Sequence, residues 1–210
     1  MVPSISTRPH RSSLTLRRIR VAAVVVTLSI ASAVALTGCA PSTSTPAPAS
    51  TEALVAGDIP DDQVFVPVTS ASGAFTVSVP EGWSSATLNG VTTYTDKLNS
   101  ISVEQTAVAS APTVDSVAND LLPQALASRS NAAAGDVATF TAKGGSGIHF
   151  TYTADSAKDA VTGATRPDAV EVYLFWQGGQ QVALTLEGPT TADNVDPWKI
   201  VSDSFTWTGK

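Results

Sequence analysis

Cysteine occurs once in the 210 residues, at Cys39, and histidine only twice, at His10 and His149. A single thiol excludes an intramolecular disulfide, and one Cys with two His cannot assemble a His/Cys metal cluster. The fold must therefore rest on an apolar core. Basic residues are scarce in the body of the chain. Five of the twelve (Arg8, Arg11, Arg17, Arg18 and Arg20) precede position 21, and from Cys39 onward seven bases face eighteen acids, a net charge of −11 against −6 for the whole chain. Such an acidic body repels phosphate backbones and anionic head groups, which excludes nucleic acid as a partner. No G-x-S-x-G nucleophile motif occurs, and the chain is expected to be no enzyme and to bind no cofactor or metal.

What is present begins with an export layout: a basic stretch, an uncharged run from Val21 to Leu36, then Thr37-Gly38-Cys39. A transmembrane helix needs about 20 apolar residues, and this run is shorter, diluted with Thr and Ser, and ends at small residues. Leu36-Thr37-Gly38-Cys39 resembles the lipobox of bacterial lipoproteins. The resemblance implies cleavage before Cys39, a diacylglyceryl thioether on its sulfur, and attachment to the cell membrane facing outside the cytoplasm. Two acyl chains hold where one is marginal. Arg17-Arg18 lacks the continuation of a twin-arginine signal, so general secretion is the expected route.

Residues 1–38 are thus read as signal peptide, residues 39–63 as a lipidated, disordered tether rich in Pro, Ser, Thr and Ala, and residues 64–210 as one globular domain. Extended at about 3.1 Å per residue, such a tether reaches roughly 60–70 Å.

Alternation predicts strands at Phe75 to Val79, Val91 to Thr95, Ile101 to Val108, Val137 to Ala142, Ile148 to Tyr152, Val170 to Trp176 and Val182 to Leu186. Asn89-Gly90 and Gln177 to Gln180 read as turns. Val114, Val117, Leu121, Leu122, Ala125 and Leu126 form one helical stripe capped by Thr113, with a kink or break expected near Leu122 because of Pro123. Ala154 to Asp168 reads as a long surface loop. A last helix is expected after Thr190 to Asp196, burying Trp198 and Val201, and Ser204 to Trp207 closes the chain as a short strand. The class is α+β, an antiparallel sheet flanked by helices.

SGAFTVSVPEGW (Ser72 to Trp83) and LEGPTTADNVDPWKIVSDSFTW (Leu186 to Trp207) resemble the opening and closing segments of PsbP-like domains, among them LpqN-type lipoproteins of actinobacteria. The resemblance implies an α/β/α sandwich serving as an accessory or interaction module. Another envelope protein is then the expected partner, with a lipid or other small apolar ligand as the alternative and a wall- or lipid-directed hydrolase as the third reading.

Individual candidates for chemistry carry little. His149 is expected to face away from Ile148 and Phe150, without a positioned nucleophile or an orienting carboxylate. Gly144-Gly145-Ser146-Gly147 precedes a strand, so it is a turn and not a phosphate loop. Asp155, Asp159 and Asp168 lack the spacing of a calcium loop and are expected to be solvated. Trp83, Trp198 and Trp207 suit a core. Tyr173 and Phe175 share a strand face with Glu171, opposite Val170, Val172, Leu174 and Trp176, and need a helix, a ligand or a partner to cover them.

Overall fold

The computed structural model describes residues 55–209; the leader, Cys39 and the tether as far as Leu54 lie outside the described residues. The chain runs β1 (Phe65–Thr69), β2 (Phe75–Pro80), β3 (Ser84–Leu88), β4 (Val91–Asp96), β5 (Asn99–Ala107), α1 (Val114–Ser116), a π turn (Val117–Leu121), α2 (Leu122–Ala127), β6 (Ala133–Ala142), β7 (Gly145–Asp155), β8 (Pro167–Gln177), β9 (Gln180–Pro189), α3 (Val195–Ser204) and β10 (Thr206–Trp207). Seven strands form one antiparallel sheet in the order β3-β4-β5-β9-β8-β7-β6, and three form a smaller antiparallel sheet in the order β1-β2-β10.

Register decides which side chains share a face, because directly opposed residues lie on the same side of a sheet. Ile101, Leu186 and Glu171 are cross-strand neighbours, as are Val103, Leu184 and Tyr173. This face packs on Phe75, Val77 and Val79 of the small sheet and on Trp198 and Val201 of α3. The opposite face presents Ile148, Phe150 and Tyr152 from β7 with Val170, Val172 and Leu174 from β8, covered by Val117 and Leu122 of the helical segment. Each such buried side chain stabilises the fold by about 1.5–3 kcal/mol.

The expected helix–sheet–helix sandwich holds only in part. The architecture is mostly β, and the three-stranded sheet takes a share of the cover expected from helices. The break at Pro123 takes the form of the π turn, closed by the bond from the Leu122 N–H to the Val117 carbonyl. Thr113 caps α1 through a bond from the Ser116 N–H.

Two strands escape the alternation. β3, SSATL, is exposed at every position, so it has no buried face to leave a pattern. It forms because Asn89 and Gly90, at φ 52° and 86°, fold it back on β4 in the two-residue turn whose twist suits a hairpin. β1 carries Pro67 and, among the described residues, pairs only with β2. The expected loop over 154–168 is shorter, since β7 runs to Asp155 and β8 starts at Pro167. The tether reading also ends too late: Ile59 is buried in the core and its N–H donates to Asn194 Oδ1 at 2.9 Å.

Candidate functional site

Between β1–β2 of the small sheet and β3–β5 of the large one lies a groove of about 470 Å³. Its floor is apolar and buried: Phe75 and Val77 from β2, Val103 from β5. Half-buried Val68 and Tyr94 form the walls, while Thr87 of β3 and Gly90 of the following turn stand exposed on the rim. At one side of the groove the β1–β2 turn is tied to β5, where Ser72 Oγ donates to Gln105 Oε1 at 2.7 Å. Thr92 and Tyr94 of β4 line the space next to it. Among the described residues no charged one lines the space.

The part of the same sheet face that bears Tyr173 and Phe175 is closed. Phe175 is buried, stacked on Phe205 with ring centroids 3.9 Å apart and met edge-on by Phe140 at 5.0 Å. Tyr173 is half-buried, with Phe140 at 5.2 Å and His149 stacked on it at 4.3 Å. Cover comes from the residue between α3 and β10 and from β6 across the sheet, rather than from a helix face alone.

His149 is not the isolated strand histidine expected. Its Nε2 lies 3.2 Å from Glu171 Oε2, and the Tyr173 hydroxyl donates to that same oxygen at 2.7 Å. The bond from His149, with that from Tyr173, holds the Glu171 carboxyl below the usual carboxylate range. Burial, reinforced by Glu171, pushes the Tyr173 phenol upward. Histidine and carboxylate are thus paired, but the third group is a phenol held in its protonated form, which is a poor nucleophile. Sequence reasoning missed the pair because it depends on cross-strand register, His149 opposite Tyr173 with Glu171 two residues away.

The three aspartates do not come together. Asp155 accepts from Asn131 Nδ2 at 2.8 Å, and Asp159 accepts from the N–H groups of Val161 and Thr162, which lower its pKa. Asp168 corrects the expectation of solvation: it is 1% exposed, in β8, bound by Arg166 Nε at 3.0 Å and Nη2 at 3.2 Å. Among the described residues no group of His, Cys, Asp or Glu is arranged to hold a metal. Near Asp168, Arg129 grips Glu187 through two nitrogens, at 2.6 and 3.2 Å, on the wall of an open polar recess.

Burial, outweighing Arg166, pushes the Asp168 carboxyl up to about 6. A carboxyl raised in the folded state contributes stability that is complete below its ordinary pKa, about 4, and is lost as pH rises through about 6. Asp168→Asn should therefore flatten the decline in unfolding free energy between pH 4 and 6, as read by urea titration at several pH values. An unchanged slope in the variant would show that Asp168 is not the titrating group. The Glu171 shift has the opposite sign, its contribution to stability being lost as pH falls below the ordinary carboxylate range.

The Gly144 to Gly147 stretch is the turn and start of β7, as expected. Trp198 is buried, Trp83 and Trp207 are half-buried against the core, and Trp176 is 36% exposed. Cys39 lies outside the described residues.

No family model matches the chain, and no curated protein matches it in sequence. Solved structures similar to it include the cyanobacterial PsbP (CyanoP) of Synechocystis sp. PCC 6803, at 15% identity over 72% of this chain and 98% of that one, with a TM-score of 0.46. Another is LpqN of Mycobacterium tuberculosis, involved in cell envelope biogenesis, at 15% identity over 71% and 93%, TM-score 0.45. A third is the Ran-binding protein Mog1p of Saccharomyces cerevisiae, at 12% identity over 69% and 95%, TM-score 0.43. At such values the likeness says nothing of activity or partners.

Proposed function

We propose that the chain is a membrane-anchored envelope lipoprotein, held by lipid on Cys39, whose domain acts outside the cytoplasm as a protein-interaction module without catalytic activity. The observation that carries this reading is the uncharged groove bordered by β3, a strand exposed at all five positions. The His149–Glu171 pair, in contrast, lacks a competent nucleophile. Surface crosslinking of cells bearing the full chain should trap the same protein partners repeatedly from the membrane fraction. Cys39→Ala should leave the precursor uncleaved and release the protein from lipid attachment. Normal processing of that variant would refute the anchor, and absence of any trapped protein where known complexes survive would refute the module.

The second reading, a binder of a small apolar ligand, is favoured by the groove volume of about 470 Å³, within the roughly 300–1,000 Å³ range of ligand pockets. Protein purified from membranes under non-denaturing conditions would then carry a stoichiometric apolar molecule in native mass spectra.

A further inference from the structure

We propose that β3 is a docking edge, and that its occupant is an extended segment of a basic protein partner that adds a strand to the large sheet and lays alternate side chains into the groove. This rests on the interaction-module reading and names the partner's form. Strand edges invite pairing, and proteins blunt them with proline, charge, bulges or brevity. Among the described residues four strands are sheet edges, and three are blunted: β1 carries Pro67, β10 is two residues long, and β6 has a register shift between Ala134 and Val137 with Asp136 inside it. β3 has none of these devices.

The geometry of β3 defines what it accepts. The two-residue turn makes Leu88 and Val91 the hydrogen-bonded pair that closes the hairpin. Bonding then alternates, so Ser84, Ala86 and Leu88 face β4 with their backbone groups, and Ser85 and Thr87 direct theirs outward. Ser85 and Thr87 also share the sheet face of Tyr94 and Thr92, their cross-strand partners, and thus the groove face. An added strand opposite Ser85 and Thr87 places its own side chains on that face. Main-chain bonds supply affinity and the groove reads alternate residues, the pattern of strand addition.

Charge selects among occupants. The described residues carry seventeen acids against six bases, and Glu81 and Asp96 flank the entry to β3, where the one base, Lys97, sits 3.6 Å from Asp96. A second copy of this acidic chain is repelled, and a segment with Lys or Arg beside an apolar alternating stretch is attracted. The chain's own segment before the domain is the poorer occupant, because Pro41, Pro46 and Pro48 interrupt a ladder there and Glu52 adds an acid to the proline-free remainder.

The test places a photo-crosslinking residue at Thr92, inside the groove, and separately at exposed Ile200 of α3, in the full-length chain in its own membrane. The expected result is a protein adduct at position 92 whose crosslinked peptide alternates apolar and polar residues next to a base. Ser85→Pro removes an outward N–H without touching the β3–β4 ladder and should cut the adduct at least tenfold. Thr87→Lys, which keeps the backbone intact, should do the same, and unchanged melting temperatures exclude unfolding as the cause. Protein adducts at position 200 alone, or adducts at 92 insensitive to both variants, overturn strand addition and leave the module reading standing. A lipid or a second copy at 92 also overturns it, and no protein adduct at either position removes the module reading too.

Discussion

Phe205→Ala is expected to destabilise the domain by about 3–5 kcal/mol, the range for emptying a fully buried aromatic site, and to lower the melting temperature by roughly 10 °C. Phe205 is fully buried and joins the two sheets. Its ring stacks on Phe175 of β8 at 3.9 Å and on Phe75 of β2 at 5.3 Å, and Trp207 meets it edge-on at 5.3 Å. Truncation leaves a cavity whose walls come from different layers, so closing it means shifting one sheet against the other. The backbone of Gly144 also lies against this residue, close enough that a side-chain carbon there would stand 2.5 Å from the Phe205 ring. Equilibrium urea unfolding reads the effect directly. A loss below about 1 kcal/mol would mean that the cluster relaxes freely and that the sheets are held together elsewhere.

The same residue shows what a sequence discloses. Phe205 stands in the SFTW ending, and buried Val201 and Trp198 precede it at helical spacing, so the closing segment was readable. β2, β5, β7, β8 and β9 were readable for a like reason: each buries one face or both in register with its neighbours. β3 was not, because a strand exposed on both faces leaves no periodic trace, and its only signal is the Asn89-Gly90 turn beside it. The groove was out of reach altogether. It is made by residues 68–77 approaching residues 87–105, and composition carries no record of how far apart two sheets stand. His149, Glu171 and Tyr173 fall in the same class, being ordinary strand residues until register sets them side by side.

Asn194→Ala is expected to cost about 2–4 kcal/mol and to loosen the segment at residues 57–59. Each buried polar group left without a partner costs about 1–3 kcal/mol, and this side chain serves three. Its Oδ1 accepts from the Ile59 N–H at 2.9 Å, and its Nδ2 donates to the Gly57 carbonyl and to Asn99 Oδ1, both at 3.0 Å. Asn99 in turn donates to the Gly57 carbonyl at 2.7 Å, so that carbonyl keeps one partner while the Ile59 N–H keeps none. Asn194 stands just before α3 and, unlike an ordinary capping asparagine, gives its side chain to residues 57–59 rather than to the helix N–H groups. Those residues are among the first described ones, so this network fixes the start of the described domain. Amide exchange at Ile59 should therefore quicken by more than the global loss of stability accounts for, and limited proteolysis should begin to cut near Gly57 under native conditions. Exchange at Ile59 rising only in step with global unfolding would show that the strap is fixed by burial of the Ile59 side chain, 5% exposed in the core, and not by these hydrogen bonds.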